Sequence, residues 1–138
     1  MDVHDKATRA YNMSRIKGQN TKPEMLVRKF LFSNGLRYRL HVKELPGKPD
    51  IVLSKYRTVI FINGCFWHGH AGCKYYVVPK TRTEWWQQKI NGNITNDEKA
   101  IHLLEKNGWR VITVWECDLK KQNQEVTLKA LLQAVIIN

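Results

Sequence analysis

Acidic residues are scarce in this 138-residue chain: 12 Asp and Glu stand against 23 Lys and Arg, a formal charge of +11. Between Ile51 and Ile90 the only acid is Glu84, set against Lys55, Arg57, Lys74, Lys80, Arg82 and Lys89. So positive a surface releases condensed counterions when it meets a polyanion, which makes nucleic acid the leading partner and a merely basic protein the plainer alternative. Cysteine is scarce too. Three thiols, Cys65, Cys73 and Cys117, are an odd count that argues against a disulfide framework and towards metal binding or packing. No apolar run reaches the ~18 residues of a membrane span. The segment from Met1 to Arg9 has no signal-like apolar stretch. A soluble cytoplasmic protein, nucleoid-associated and without a membrane partner, is the expectation. Repeats and low-complexity segments are absent, and the length suits one domain with one real core.

What is present divides at about residue 20. Residues 1–20 are polar and basic, with too few apolar side chains to fold alone, and read as an arm that orders on a partner. Residues 21–138 read as the folded domain. Thr21-Lys-Pro-Glu24 opens a helix, with Thr21 as N-cap and Glu24 at the reciprocal capping position; Asn34-Gly35 ends it. Leu36, Tyr38, Leu40 and Val42 alternate with Arg37, Arg39 and His41 as in a half-buried strand. A Pro-rich turn then delivers Asp50 to the strand Ile51–Leu53, which forms a hairpin with Thr58–Ile62. Thr83 to Asn107 reads as helical with a break at Asn91-Gly-Asn93, followed by a strand from Trp109 to Glu116 and an amphipathic helix from Val126 to Ile137. Trp109 and Trp115 read as core. The order α-β-β-β-α-β-α predicts an α/β domain with a mixed central sheet flanked by helices.

The chemistry concentrates in Asn63-Gly-Cys-Phe-Trp-His-Gly-His-Ala-Gly-Cys73. Cys65, His70 and Cys73 lie close in sequence, and Cys117 sits just past another strand. Together they make a Cys3His set of the kind that holds structural zinc. The plainer reading makes Cys117 a core thiol and the loop cysteines incidental. His68 is the remaining imidazole of the run. It lies downstream of a strand that pairs with the one starting at Asp50, so carboxylate and imidazole can meet at one sheet end. That pairing suits metal-assisted hydrolysis, the carboxylate holding a hard cation and the imidazole taking a proton from water. Four protein ligands would leave zinc no open position, so zinc is not the expected catalyst.

These residues resemble the very short patch repair endonucleases. The resemblance runs collinearly through Asp2–Arg9, Asn12-Met-Ser, Leu45-Pro-Gly-Lys-Pro-Asp50, Gly64-Cys-Phe-Trp-His68, Val78–Glu84, Gly108-Trp-Arg-Val111 and Val114-Trp-Glu-Cys117, and covers most of the chain. It implies a restriction-endonuclease-like core and a strand-specific nuclease. Such an enzyme nicks double-stranded DNA 5′ of the thymine in a T·G mismatch left by deamination of 5-methylcytosine. It further implies catalytic Mg2+ on Asp50 and the backbone carbonyl of Ile62, His68 as the group that activates water, and Glu24 near the metal's water shell. Structural Zn2+ falls on Cys65, His70, Cys73 and Cys117. Phe66, Trp67 and Trp86 become a wedge into the base stack, with Met13 of the arm beside them, while Arg15 and Arg82 grip phosphates. A monomer, linked in function to a cytosine-5 DNA methyltransferase and to general mismatch-repair proteins, is the implied working unit.

Two departures from the pattern stand out. Asn63 replaces a second active-site histidine carried by the best-known member, and an amide can donate a hydrogen bond to phosphate but cannot exchange a proton. The loop from His68 to Cys73 is one residue longer. A non-catalytic, zinc-stabilised DNA-binding module is the alternative that charge, zinc and aromatics alone would satisfy. Asp50 and His68 argue against it, because a pure binder has no use for an acid beside the phosphodiester.

Overall fold

Strands as apolar as Ile51-Val-Leu53 and Thr58-Val-Ile-Phe-Ile62 need cover on both faces, and the chain wraps helices on each side of them. The computed structural model describes residues 20–137. The arm, with Met13 and Arg15, lies outside the described residues.

The elements in chain order are α1 (Lys22–Ser33), β1 (Arg39–Leu40), β2 (Ile51–Leu53), β3 (Thr58–Asn63), α2 (Thr83–Lys106), β4 (Arg110–Trp115) and α3 (Gln124–Ile136). Short 3-10 turns at Ser54–Tyr56 and Glu116–Leu119 follow β2 and β4. The sheet order is β1-β2-β3-β4, antiparallel for the first two pairings and parallel for β3 with β4. Ile51 faces Ile60 across the hairpin, and Asn63 faces Trp115 at the far end of the parallel pair. This is the α/β architecture with a mixed sheet expected from the sequence.

Strand alternation sends side chains to two cores. Ile51, Leu53, Ile60 and Val114 pack with Val27 and Leu31 of α1 and with Leu128, Leu131 and Val135 of α3. Val52 and Val59 point the other way, with Val42 and Leu104 of α2, and Phe61, Trp109 and Val111 pack around them. Trp109 therefore serves the second core, with the Arg57 guanidinium 4.2 Å over its ring.

The largest differences from the sequence reading are three, besides shifts of one residue at the ends of β3 and β4. The alternation from Leu36 to Val42 does appear in burial, but only Arg39–Leu40 form a ladder, which His41 ends with a left-handed φ of +47°. The last helix begins at Gln124, two residues earlier than expected. The break at Asn91-Gly-Asn93 does not occur, and α2 runs unbroken for 24 residues. Glycine costs a helix interior only about 1 kcal/mol against alanine. Burial of Ile90 and Leu104, on either side of the site, outweighs that.

A Cβ on Gly92 would meet nothing within 4 Å. Gly92→Ala is therefore expected to stabilise the protein by about 0.4–1 kcal/mol, a rise of a few degrees in Tm by calorimetry. A fall in Tm would mean that the helix does bend there.

Candidate active site and metal centre

β3 and β4 run parallel, so their C-terminal ends open on the same edge of the sheet, and the chain that follows each supplies ligands. Cys65, His70 and Cys73 come from the loop after β3, and Cys117 from the turn after β4. One ligand atom from each of the four lies within 4.8 Å of all the others. Cys117 Sγ is 3.4 Å from His70 Nδ1, and the Cys117 backbone N–H donates to Cys65 Sγ at 3.4 Å. The His70 ring is stacked on Trp115 at 4.0 Å and 4°. Zinc–sulfur bonds of about 2.3 Å set tetrahedral edges of just under 4 Å, so the cluster needs only slight closure to bind a metal such as zinc.

The thiols bear the mark of crowding. Burial, and then the neighbouring thiols Cys65 and Cys73, push Cys117 up to about 12. Burial likewise raises Cys65, while backbone N–H donors lower Cys73. Thiols this close cannot all ionise against one another, and a bound cation supplies the charge that lets them.

On the α2 side of the sheet a cleft of about 380 Å³ is lined by His41, Lys43, Lys48, Asp50, Asn63, His68 and Asp97, among others. Asp50 enters it from the residue before β2, and its Oδ2 accepts the backbone N–H of Ile62 at 2.7 Å. Within a strand, a residue's N–H and C=O point to the same side, so the Ile62 carbonyl faces the Asp50 side as well. Burial pushes the Asp50 carboxyl up from 3.8 to about 6. The Ile62 hydrogen bond opposes this, the Glu24 charge adds to it, and His41 and His68 oppose it more weakly. Asp50 is thus more deeply set than its place beside a Pro-bounded turn suggests.

His68 leaves the loop after β3 and meets a partner that the sequence reading missed. Its Nδ1 lies 2.6 Å from Asp97 Oδ2 on α2. One signal could have found Asp97. Ile90, Ile94, Asp97, Ile101 and Leu104 follow one helical stripe, and an acid on an apolar stripe is out of place. Placing a break at Asn91–Asn93 hides that stripe. The loop itself is pressed onto α2, since a Cβ on Gly69 would come within 2.6 Å of Ile94 Cδ1. Asn93 Nδ2 donates to the Trp67 carbonyl at 2.8 Å, one turn before Asp97.

Glu24 is almost wholly buried, at 1% exposure. It caps α1 in a variant of the expected manner: its backbone N–H donates to Thr21 Oγ1 at 3.4 Å, and its Oε1 accepts from the Asn20 N–H, one residue before the N-cap. Oε2 turns to His41 Nε2 at 2.8 Å and Arg28 Nη1 at 3.3 Å. His41 is the second residue missed, read as the exposed side of an alternating strand. Asn63 is buried at the end of β3 and lines the cleft.

Phe66, Trp67 and Trp86 do come together, with ring centroids 5.3–5.8 Å apart. Trp85 joins them at 4.8 Å from Trp86 and carries the Arg82 guanidinium 4.9 Å over its ring. Trp67 and Trp85 are exposed, at 36% and 46%, so the cluster is a surface feature and not core. No helix among the described residues is long and apolar enough to cross a membrane.

Sequence comparison relates the chain to known proteins. A family model described as DNA mismatch endonuclease Vsr matches residues 1–74. The type II nicking enzyme V.NmeAIP of Neisseria meningitidis is 51% identical over 121 residues, 88% of this chain and 86% of its own length. The DNA mismatch endonuclease Vsr of Escherichia coli is 46% identical over 132 residues, 96% of this chain and 83% of its own. The type II nicking enzyme V.XorIIP of Xanthomonas oryzae is 48% identical over 111 residues, covering 80% and 81% respectively.

Two outcomes are expected from the geometry. Elemental analysis of protein purified without chelators should find one zinc per chain. Cys117→Ala should lose it together with much of the fold, since structural zinc supplies about 10–16 kcal/mol in small peptides against the roughly 5–15 kcal/mol stability of a domain. The second concerns Asp50. A carboxyl raised to about 6 in the fold from 3.8 stabilises most below pH 3.8 and loses that contribution as pH rises through about 6. Asp50→Asn keeps an acceptor for the Ile62 N–H. Without divalent ions it should be more stable than the parent at pH 8, by up to about 3 kcal/mol, with the gap closing towards pH 4. Denaturant melts at the two pH values check this, and an equal or lower stability at pH 8 would refute it.

Proposed function

The chain belongs to the family of the DNA mismatch endonuclease Vsr, and we propose that it nicks one DNA strand 5′ of the thymine in a T·G mismatch, with Mg2+ as cofactor. Membership makes it an endonuclease acting on DNA, with the restriction-endonuclease-like fold of that family. The observation that carries the finer reading is the meeting of Asp50 and the His68–Asp97 pair in one cleft, next to an exposed aromatic cluster.

Hydrolysis needs a proton acceptor for water and a counter-charge for the phosphate. With Nδ1–H donated to Asp97, His68 keeps its Nε2 lone pair free to take the proton of the attacking water. The water oxygen bonds to phosphorus, the phosphorus–oxygen bond to the preceding sugar breaks, and the leaving oxygen takes its proton from solvent. Asp50 and the Ile62 carbonyl would hold Mg2+, which supplies Lewis-acid stabilisation of charge on the phosphate. These two donors fit Mg2+: both are oxygens, one of them a carboxylate on the cleft wall. Glu24 would act through the metal's water shell besides capping α1. Asn63 would donate a hydrogen bond to the phosphate and leave proton transfer to His68 and solvent.

Recognition rests on Phe66, Trp67 and Trp86. Opening a base step costs a few kcal/mol, and each aromatic stacked on a base returns about 1–3 kcal/mol, so two or three rings offset the opening. A T·G wobble pair is cheaper to open than T·A, which turns the wedge into a source of selectivity. Arg82 and the basic arm, through Arg15, would hold phosphates irrespective of sequence, with Met13 adding to the wedge. The substrate arises by deamination of methylated cytosine, which ties the enzyme to a cytosine-5 DNA methyltransferase and to general mismatch-repair proteins, on the nucleoid, where it works as a monomer. A binding module without catalysis would leave the His68–Asp97 pair unexplained.

Labelled duplexes bearing T·G or T·A, incubated with protein and Mg2+ or EDTA, test this reading. One-strand cutting of T·G alone, abolished by EDTA, is expected. His68→Ala should slow it by about 10²–10⁴-fold, the usual share of a general base, with mismatch binding retained. Trp67→Ala should weaken binding to T·G more than to T·A. Equal cutting of both duplexes, or cutting in EDTA, would overturn the assignment.

A further inference from the structure

One end of the cleft holds an imidazole that the chemistry above leaves unused. His41 directs Nε2 at Glu24, 2.8 Å away, and lines the same cleft as Asp50. We propose that Glu24, His41 and Asp50 form a single divalent-metal site with a nitrogen ligand, which takes a first-row transition-metal ion such as Mn2+ more tightly than Mg2+ or Ca2+. The proposal rests on the reading of Asp50 as a metal ligand and deepens it: it adds His41, brings Glu24 from the water shell into direct contact with the ion, and states which class of ion the site prefers.

The distances suit such a site. One ligand atom from each of the three residues lies within 4.8 Å of the other two. With bonds of about 2.1 Å, neighbouring ligands of an octahedral ion lie about 3 Å apart and opposite ones about 4.2 Å. The His41–Glu24 separation is already that of an octahedral edge, and Asp50 offers an oxygen within 4.8 Å of both. The Ile62 N–H occupies one oxygen of Asp50 and so orients the carboxyl, leaving lone pairs on the other oxygen for a ligand.

The backbone brings His41 to this place. Its N–H still donates to the Asp50 carbonyl at 3.1 Å, extending the β1–β2 ladder by one bond. Its φ of +47° then ends the strand, and the side chain meets Glu24 instead of solvent, at 18% exposure. Charge points the same way. The Asp50 carboxyl and the 1%-exposed Glu24, which also meets Arg28 at 3.3 Å, lie within 4.8 Å of each other, and a divalent ion between them would neutralise both.

Nitrogen sets the preference. Mg2+ and Ca2+ are hard ions that favour oxygen, and Mg2+ gives up water reluctantly, whereas imidazole suits transition metals and Mn2+ accepts both donor types. To bind, His41 must present the Nε2 lone pair, its proton residing on Nδ1 or passing to solvent.

The test titrates Mn2+ into zinc-loaded protein and reads binding by electron paramagnetic resonance, with Mg2+ as competitor. Pulsed measurements then ask for modulation from a coordinated imidazole nitrogen. Mn2+ is expected to bind at least about tenfold more tightly than Mg2+, with nitrogen modulation that changes on ¹⁵N-histidine labelling. His41→Gln should lose the modulation and about tenfold in Mn2+ affinity, a typical cost for a lost ligand-shell group. His68→Ala should keep both. Should His41→Gln fold poorly, the labelled parent together with His68→Ala still decides the assignment. Asp50-dependent binding without nitrogen modulation, or modulation that survives His41→Gln, overturns the role of His41 and leaves the Asp50 reading standing. Mn2+ binding that Asp50→Ala does not weaken overturns the Asp50 reading itself.

Discussion

The Cys3His cluster depends on the parallel pairing of β3 with β4. Parallel strands end on the same edge, and here the register sets Asn63 opposite Trp115. The chain leaving β3 carries Cys65, His70 and Cys73, and the chain leaving β4 carries Cys117, so the last rung of the ladder brings the four ligands together. A shift of one residue would turn every side chain of β4 to the opposite face. It would also draw Trp115 away from the His70 ring that it stacks against. A metal bound here would close the sheet edge with four strong ligands, adding to the contacts with α2 that hold this glycine-rich loop.

The second dependence is on α2, which supports both halves of the active loop. Trp86 sits in the aromatic cluster, Asn93 holds the Trp67 carbonyl and Asp97 holds His68, all from one helix. On the proposed reading, recognition and chemistry would share this frame, since Phe66, Trp67 and His68 leave the same loop and meet the same helix. Gly69, with φ +58° and no room for a Cβ against Ile94 and Ile90, is what lets the loop lie so close to the helix.

The cleft is costly to build. Burial strips water from an ionised Asp50 and the nearby Glu24 charge adds to the cost, and the rise of its carboxyl to about 6 expresses both. If Asp50 holds a metal, as proposed, stability and function pull apart at this residue, as they commonly do where a site is arranged for a ligand rather than for the empty fold.

Much of this was legible in the sequence, for identifiable reasons. Periodicity and punctuation were enough for the helix opened by Thr21 and Pro23, the hairpin at Ile51–Ile62 and the α-β-β-β-α-β-α order, because these depend on neighbours along the chain. Thiol count and spacing were enough to nominate Cys65, His70, Cys73 and Cys117. The collinear motifs were enough for the family. Asp97 and His41 escaped, since their partners lie 29 and 17 residues away and no local pattern reports such a contact. Local breakers also misled: Asn91-Gly-Asn93 looks like the end of a helix, yet burial of Ile90 and Leu104 holds α2 straight through it. By itself the sequence determined which elements form, which faces are apolar and which residue types are available for chemistry, all of these being set by short-range sterics and the periodicity of apolar side chains. Only the tertiary structure decided which carboxylate meets which imidazole, and how far burial perturbs Asp50, because distance and desolvation exist only once strands and helices have packed.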